Sequence, residues 1–378
     1  MKKIVDDIKG SRWKFFIYEK NLVYSTEQTG ICVLYKDVAD DFDISLDSLG
    51  HIHIALVTFH GDIVYLKYDF TSWTSYTVME SRSGSSKTCL IRLFSISGRM
   101  NLWYVYEHLG KNLLVHQVFD GPDTIGRANV IDALCDKKIF TVCCDNDLNT
   151  HILYVDEEEF CKYKVYRWSK KDYEEREVDI DNIRSIYAVS DEKSTIHIAY
   201  TERKQEYNVV SYANLGTSLH RTVGFGVGIR CEPCIIVSEN TVIIQFCDDV
   251  ESAQCKSNDG GLSFSPVQTI DNTRKGRESY GSYRFRKNGL CIGINNVLLH
   301  DDGQIVGDAM ISNLFSNDEK TYPTEVEGYY AQSCGGMNVN VDFVRRLNSV
   351  EEKLNQLIEI FNRQYGNENL NNSDLNNY

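Results

Sequence analysis

The sequence lacks the features that mark fibrous, secreted or membrane-spanning chains. Only 4 prolines and 25 glycines occur among 378 residues, which excludes a collagen-like or low-complexity protein. No apolar run approaches the roughly 18 residues that a membrane-spanning helix needs, so we expect no membrane span. Asp6 and Asp7 interrupt the opening segment where a secretory signal peptide needs apolar residues, so we expect no such signal either.

A basic excess is also missing. The formal net charge is −14, whereas a protein that binds a phosphate backbone needs a basic surface, so we expect no nucleic-acid partner. The 12 cysteines, with no signal segment, indicate reduced thiols in a cytoplasmic setting; assembly into a virion or at a cell surface is the alternative. The 23 tyrosines and 16 phenylalanines favour strands and supply a large packed core.

What the chain does have is a short stretch that returns at regular spacing. The copies are GHIHIALV from Gly50, GRMNLWYV from Gly98, NTHILYV from Asn149 and STIHIAYT from Ser194, with looser copies from Asn240 and Asn288. Apolar residues alternate within each copy, which is the period of a strand. Self-similarity at a fixed period indicates repeated structural units, and we interpret HIHIA and TIHIAY as the same inner strand of two units.

A second strand follows most copies after a polar turn, as in DIVYLKY from Asp62 and YKVYRW from Tyr163. Strands and turns at a period near 47 residues are what one blade of a four-stranded propeller supplies. The sequence therefore predicts an all-β, six-bladed β-propeller over residues 1–312, with seven blades as the alternative.

The stretch SNDGGLSF carries the most specific motif. Ser257, Asp259, Gly261 and Phe264 match the S-x-D-x-G-x-x-[FW] pattern of the Asp-box. On this motif the chain resembles the sialidase-like (Asp-box/BNR repeat) β-propeller superfamily, in which the motif forms a hairpin between the two outer strands of a blade. We expect Asp259 to accept hydrogen bonds from its own turn, with glycines supplying positive φ.

The resemblance implies either a glycoside hydrolase or a binding protein. Sialidases hold a carboxylate with three arginines, the first in an Arg-Ile-Pro stretch, and use a Tyr/Glu pair and an Asp. Here the corresponding stretch places Trp13 and Lys14 after Arg12, which disfavours the enzyme. Arg230, Arg284 and Arg286 remain candidates for a converging set.

The repeated polar positions are candidates for a ligand-binding propeller face. They are His53, Asn101, His151 and His197, at steps of 48, 50 and 46 residues. The alternative is that each is a buried polar residue hydrogen-bonded to neighbouring backbone, since buried polar groups are nearly always satisfied. Together with Arg284 and Arg286 they make up our predicted binding-face residues.

After a predicted linker over 313–338, the pattern changes to a heptad. The apolar residues Phe343, Leu347, Val350, Leu354, Leu357 and Phe361 predict an amphipathic helix over 339–364, followed by a disordered tail over 365–378. The helix serves either to form a homo-oligomer, such as a trimer, or to dock on the propeller.

No metal or cofactor is predicted. Cys231 and Cys234 have the spacing of a metal-binding pair, but no second pair follows at zinc-finger spacing. The sequence as a whole predicts a non-catalytic recognition or scaffold protein whose partner is a glycan or a protein, and an oligomerising helix would make it multivalent. A sialidase-like glycoside hydrolase is the alternative.

Overall fold

Alternating apolar residues and frequent β-branched and aromatic side chains favour strands, and strands dominate the fold. The computed structural model describes residues 2–7, 10–81, 87–96, 98–205, 207–227, 231–247, 252–270, 279–287 and 290–299, and of the last two segments the backbone only. The predicted linker (313–338), the predicted heptad helix (339–364, with Phe343 to Phe361) and the predicted tail (365–378) lie outside the described residues.

The first three sheets are built by residues 2–134. Sheet 1 contains β1 (Lys2–Asp6), β2 (Arg12–Tyr18), β3 (Asn21–Ser25) and β4 (Cys32–Tyr35). Sheet 2 contains β5 (Val38–Leu46), β6 (Ile52–Thr58), β7 (Ile63–Tyr68) and β8 (Trp73–Met79). Sheet 3 contains β9 (Lys87–Ile96), β10 (Arg99–His108), β11 (Lys111–Phe119) and β12 (Asn129–Leu134), with a 3-10 turn at Pro122–Thr124.

The remaining strands complete three more sheets and extend the first. Sheet 4 contains β13 (Phe140–Cys144), β14 (Thr150–Val155), β15 (Cys161–Arg167) and β16 (Asp172–Arg176). Sheet 5 contains β17 (Ile183–Ser190), β18 (Ile196–Lys204), β19 (Tyr207–Asn214) and β20 (Leu219–Val227). Sheet 6 contains β21 (Cys234–Ser238), β22 (Thr241–Cys247), β23 (Ser252–Ser257) and β24 (Gln268–Thr269). Finally β25 (Ser279–Lys287) and β26 (Leu290–Leu299) join sheet 1 through a parallel pairing of β25 with β1.

In each sheet four consecutive strands form an antiparallel meander, so the turns between them alternate between two ends. We call the end that holds the turn between the first and second strands the first-turn end, for example residues 47–51 in sheet 2. The opposite end holds the turn between the second and third strands, and we call it the second-turn end, for example residues 59–62. The turn between the third and fourth strands returns to the first-turn end.

Successive sheets present equivalent edges and turns to one another. First strands lie side by side, as β5 against β9 and β13 against β17. At the second-turn end the Lys20 ammonium of sheet 1 lies 4.7 Å from the centre of the Phe59 ring of sheet 2. At the first-turn end the Asn146 amide of sheet 4 donates to the Glu192 carbonyl of sheet 5 at 2.7 Å. Six consecutive four-stranded sheets packed in this way have the arrangement of a β-propeller.

Buried apolar side chains fill the spaces between neighbouring sheets. Trp103 and Leu114 of sheet 3, for example, pack in one cluster with Ile152 and Tyr154 of sheet 4. Within the described residues, the all-β prediction and the predicted number of six sheets are confirmed. In the part of the chain that the structure describes, no helix has the length and hydrophobicity to span a membrane.

Two details of the predicted repeat were wrong. HIHIA and TIHIAY do occupy equivalent strands, β6 and β18, but these are second strands of their sheets, because the first strands β5 and β17 precede them. The copy from Asn288 leads into β26, which belongs to sheet 1 rather than to a further blade. Residues 2–35, which form the first four strands of sheet 1, were not recognised as a copy at all.

Candidate functional site

In sheet 4 the turn that precedes the repeat is closed by a buried aspartate. Asp145 accepts hydrogen bonds from the Asn149 backbone N–H at 2.8 Å, from the Asn149 amide at 3.0 Å and from His151 Nε2 at 2.9 Å. The other imidazole nitrogen, Nδ1, is 2.6 Å from the Tyr163 hydroxyl on the next strand. Burial raises the pKa of Asp145, but the hydrogen bonds from His151 and Asn149 outweigh it and the net pKa is lowered.

Sheet 5 repeats this Asp–His–Tyr chain. Asp191 accepts from the Thr195 backbone N–H at 2.7 Å and from His197 Nε2 at 3.3 Å, and His197 Nδ1 is 2.6 Å from the Tyr212 hydroxyl. Tyr212 also donates to the Gly260 carbonyl of sheet 6 at 3.2 Å. Burial raises the pKa of Tyr212 to about 12, so its hydroxyl keeps its proton. This hydrogen-bonded series of side chains therefore links sheet 5 to sheet 6.

Sheet 2 has the same three residue types, with one change. Asp47 accepts from the His51 backbone N–H at 2.9 Å, and its Oδ2 atom is 2.7 Å from Nδ1 of His51, the residue that is Asn149 in sheet 4. His53 Nδ1 hydrogen-bonds the Tyr65 hydroxyl. His53 Nε2 is 3.0 Å from Asp47 Oδ2. Burial raises the pKa of Asp47, but the interactions with His53 and His51 outweigh it and the net pKa is lowered.

Sheet 3 also joins its second and third strands through buried polar side chains, but it uses different residues. Asn101 occupies the repeat position, and its Oδ1 atom is 3.1 Å from Nε2 of His116 on the next strand. His116 Nδ1 is 2.6 Å from the Tyr173 hydroxyl of sheet 4, and its ring stacks on Trp103 with 3.9 Å between centroids. Burial lowers the pKa of His116 to about 3, so this imidazole is neutral in the folded protein.

Sheet 1 contains the copy that sequence reasoning missed. Asp7 accepts from the Ser11 backbone N–H at 2.9 Å and from the Trp13 indole N–H at 3.0 Å, so Trp13 stands where sheets 2, 4 and 5 have histidine. The signal that finds it is an aspartate six positions before the ring-bearing residue, a spacing that sheets 2, 4 and 5 share. In sheets 1, 2, 4 and 5 the repeat therefore includes a turn closed by a carboxylate as well as an apolar strand.

All four predicted polar positions are buried, with exposed fractions of 6% or less. The expected backbone partner was wrong for the three histidines, because His53, His151 and His197 pair with aspartate and tyrosine side chains instead. These pairs hold turn, second strand and third strand together. A ligand-binding role for the four positions stays a prediction.

The turn predicted to be an Asp-box joins β23 to β24 at the first-turn end of sheet 6. The Ser257 hydroxyl donates to Asp259 at 2.7 Å, and Asp259 accepts from the Ser263 backbone N–H and hydroxyl at 2.9 and 2.6 Å. Gly261 has φ +94°, and an added Cβ there would meet Tyr212 side-chain atoms at 2.2 to 2.4 Å, so only glycine fits.

Phe264 packs its ring against Tyr212, with 5.1 Å between centroids, so this turn is anchored on sheet 5. Arg284 and Arg286 lie on β25, where Arg284 pairs with Val5 of β1, and nothing more is described of them than their backbone. Arg12 forms a bidentate pair with Asp6 at 2.9 and 3.1 Å.

Charged residues collect near the first strands. Burial acts to lower the pKa of Arg92 on β9, but the nearby Tyr187, Asp43, Asp41 and Glu232 outweigh it and raise that pKa. These residues come from sheets 2, 3 and 5 and from the segment before β21, and we call them the central cluster. Burial is also the main cause of the raised pKa of Asp41.

The second-turn end carries the opposite kind of residue. One large apolar side chain stands beside the second turn of each of sheets 1 to 5, with exposed fractions between 53% and 86%: Tyr18, Phe59, Leu109, Phe160 and Tyr207. Leu109 and Gly110 both have positive φ, as a two-residue type I′ hairpin requires. The corresponding turn of sheet 6 lies outside the described residues.

Sheet 5 combines its exposed tyrosine with a depression of about 490 Å³. Its lining consists of Asn182, Glu202, Arg203, Lys204, Gln205, Tyr207, Val209 and Phe225. Phe225 is 77% exposed, because the neighbouring Gly224 lies so close to Phe246 that an added Cβ would meet its ring at 2.6 Å, and alternation then directs the Phe225 side chain outward.

Hydrogen bonds hold the polar lining of the depression in place. Lys204 Nζ contacts Glu202 Oε1 at 2.9 Å and Thr222 Oγ1 at 3.0 Å, and the Arg203 backbone N–H donates to the Asn182 carbonyl at 3.1 Å. Two exposed aromatic rings thus stand beside positioned cationic, anionic and amide groups. We name this the Tyr207–Phe225 depression; no sequence motif indicated it, since its residues come from separate parts of sheet 5.

No family model matches the chain, and no curated protein matches it in sequence. Among solved structures, a mutant of the Aleuria aurantia lectin AAL in complex with Fucalpha1-6GlcNAc has a TM-score of 0.46 at 12% identity, covering 71% of this chain and 94% of the lectin. AofleA from Arthrobotrys oligospora has a TM-score of 0.46 at 10% identity, covering 71% of this chain and 86% of AofleA.

A third similar structure is the Hadza microbial sialidase Hz136, with a TM-score of 0.45 at 10% identity and coverage of 73% of this chain and 69% of the sialidase. Another structure of the Aleuria aurantia lectin is described as a six-bladed β-propeller. With identities of 10% and 12% and TM-scores of 0.45 and 0.46, these similarities assign no ligand to this chain.

Proposed function

We propose that the protein is a non-catalytic β-propeller of the sialidase-like Asp-box type, and that it binds glycans in the Tyr207–Phe225 depression. The observation that carries this proposal is the pair of exposed aromatic rings next to Arg203, Lys204 and Glu202. A sugar ring has apolar C–H faces, which stack on a flat aromatic ring, and hydroxyl groups at its edge, which hydrogen-bond to fixed polar side chains. The depression supplies both.

Repetition of the exposed apolar side chain at the second-turn end supports multivalent binding. Tyr18, Phe59 and Phe160 are aromatic. The ammonium groups of Lys20 and Lys162 lie 4.7 and 5.8 Å from the centres of the Phe59 and Phe160 rings. These turns therefore also place a cationic group beside an exposed aromatic ring, as the depression does. Several weak sites on one chain raise avidity without any new contact.

The glycan proposal is tested by glycan-array screening, followed by titration of the best ligand into the wild type and the Tyr207→Ala and Phe225→Ala variants. We expect each variant to bind about tenfold more weakly, since one aromatic stacking contact contributes roughly 1.5 kcal/mol. Leu262→Ala is the matched control, because Leu262 is also exposed, at 57%, but lies at the first-turn end. Equal losses in all three variants, or no glycan binding by the wild type, would reject the proposal.

We also propose that residues 339–364 form a helix that assembles the chain into a homo-oligomer and multiplies the sites further. The heptad spacing predicts one apolar stripe on this helix, made of Phe343, Leu347, Val350, Leu354, Leu357 and Phe361. An Asp placed in that seam has no partner for its charge. Light scattering should therefore show an oligomer for the wild type and a monomer for Leu354→Asp; a wild-type monomer would contradict this part of the proposal.

A second candidate function, a sialidase-like glycoside hydrolase, draws support from the central cluster. Arg92 has Tyr187, Glu232 and Asp41 in its electrostatic surroundings, which are the residue types that such an enzyme uses. The measurement is release of a fluorescent aglycone from a sialoside. Turnover above the buffer rate that is lost in Tyr187→Phe and Glu232→Gln would establish this function in place of the first.

A further inference from the structure

We propose that Asp47, His51 and His53, at the first-turn end of sheet 2, form a binding site for a divalent transition metal, with Zn²⁺ as the best match. One carboxylate oxygen and two imidazole nitrogens, all within 4.8 Å of one another, converge there. Zinc accepts this mixed oxygen and nitrogen set with three protein ligands and an open fourth position, whereas Ca²⁺ and Mg²⁺ prefer oxygen alone.

The comparison with sheets 4 and 5 separates this cluster from the structural Asp–His pairs. In those sheets the residue four positions after the aspartate is Asn149 or Thr195, and neither is a metal ligand of the zinc type. In those sheets the Nε2 atom of His151 or His197 hydrogen-bonds the aspartate. In sheet 2 the aspartate instead faces two imidazoles, those of His51 and His53.

The His53 Nε2 atom is the second observation. Its side chain is 3% exposed, and Nε2 lies 3.0 Å from Asp47 Oδ2, outside ideal hydrogen-bond alignment. A metal ion bound by Asp47 and His51 would therefore be within reach of the lone pair of this nitrogen. The Tyr65 hydroxyl at His53 Nδ1 supplies the outer partner that orients a ligating histidine.

The spacing of the three ligand atoms suits zinc after a small adjustment. Asp47 Oδ2 is 2.7 Å from His51 Nδ1 and 3.0 Å from His53 Nε2. Ligand atoms around a tetrahedral zinc ion are about 3.3 Å apart, given metal–ligand distances of about 2.0 Å. Asp47 and His51 are 11% and 13% exposed, so an ion can enter from solvent. A zinc ion here would tie the first turn of sheet 2 to its second strand.

The test uses the full chain, stripped of metal with EDTA and titrated with ZnCl₂ by calorimetry, with zinc content measured after dialysis. We expect one zinc per chain in the wild type and at least about 100-fold weaker binding in His51→Asn, which gives sheet 2 the residue of sheet 4. Because Asn149 serves that place in sheet 4, His51→Asn should melt like the wild type in EDTA.

The reciprocal variant keeps the proposal falsifiable even if His51→Asn misfolds. Asn149→His places a histidine four positions after Asp145, next to His151, and should bind a second zinc ion per chain. Zinc should also raise the melting temperature of the wild type and leave that of His51→Asn unchanged. A wild type that binds no zinc, or a His51→Asn variant that binds zinc as tightly as the wild type, would overturn the proposal; in the second case Cys231→Ser would identify the cysteine pair as the site.

Discussion

The two ends of the sheets invert the usual distribution of side chains. At the first-turn end, Asp145, His151 and their counterparts in sheets 2 and 5 are charged or polar, yet at most 11% of each side chain is exposed. At the second-turn end, Leu109, Phe160 and Tyr207 are apolar yet more than half exposed. Polar groups are buried only where partners satisfy them, and exposed apolar groups repeated at equivalent places mark contact surfaces.

The difference indicates that the two ends of each repeat have separate roles, one in stability and one in binding. In these sheets the second strand has hydrogen-bonded, little-exposed side chains at its first-turn end and an exposed apolar side chain at its second-turn end. In sheet 5, for example, His197 is the second residue of β18, and Arg203, which lines the depression, is its last residue but one. Mutations at one end should therefore change stability, and mutations at the other end should change binding.

The largest effect is expected from Asp145→Ala. The change removes the acceptor of three hydrogen bonds and leaves His151 and Asn149 with buried, unsatisfied donors, so we expect a loss of about 4 kcal/mol of unfolding free energy. Urea denaturation followed by fluorescence measures it. Asp147→Ala, in the same turn but exposed, is the control and should stay within about 0.5 kcal/mol of the wild type.

The next effect is a pH dependence that originates at His116. Its folded pKa of about 3 lies below the usual value of 6.5, so the unfolded chain binds the extra proton first as pH falls. The stability that neutral His116 contributes is complete above about pH 6.5 and decreases between about pH 6.5 and 3, by about 3 kcal/mol from pH 7 to pH 4. The His116→Leu variant should lack this part of the slope; identical slopes would show that His116 does not carry it.

At the second-turn end we expect a mutation to weaken glycan binding and to leave the stability of the protein unchanged. Removing the exposed Phe225 ring in Phe225→Ala should leave the unfolding free energy within about 0.5 kcal/mol of the wild type while glycan affinity falls about tenfold, equivalent to roughly 1.4 kcal/mol. Denaturation and titration on the same protein sample measure both. A loss of stability as large as that of Asp145→Ala would abolish the distinction between the two ends.

The smallest effect is expected for Asp259→Ala, at an exposed turn of the first-turn end. Asp259 bonds mainly its own turn through Ser257 and Ser263, so the variant should melt at a lower temperature than the wild type but well above Asp145→Ala. Calorimetry compares the three proteins. An unchanged melting temperature would show that this turn contributes nothing to holding the outer strands of sheet 6.

Local sequence patterns were sufficient for the repeated second strands of sheets 2 to 6, because alternation involves neighbouring residues. They did not find sheet 1, since Trp13 replaces the histidine of the repeat there. They also did not find the Asp–His–Tyr chains, because Tyr163 and Tyr212 meet their histidines only after the strands pair. The Tyr207–Phe225 depression joins residues from Asn182 to Phe225, and no single stretch of sequence contains it.

The most direct test of recognition at the second-turn end is a crystal structure of the protein with the glycan that an array identifies. We predict that a sugar ring stacks on Tyr207 or Phe225 and that its hydroxyls bond to Arg203, Lys204 or Glu202. A sugar bound instead at Arg92 and Tyr187 in the central cluster, with the depression vacant, would contradict the account and favour the hydrolase.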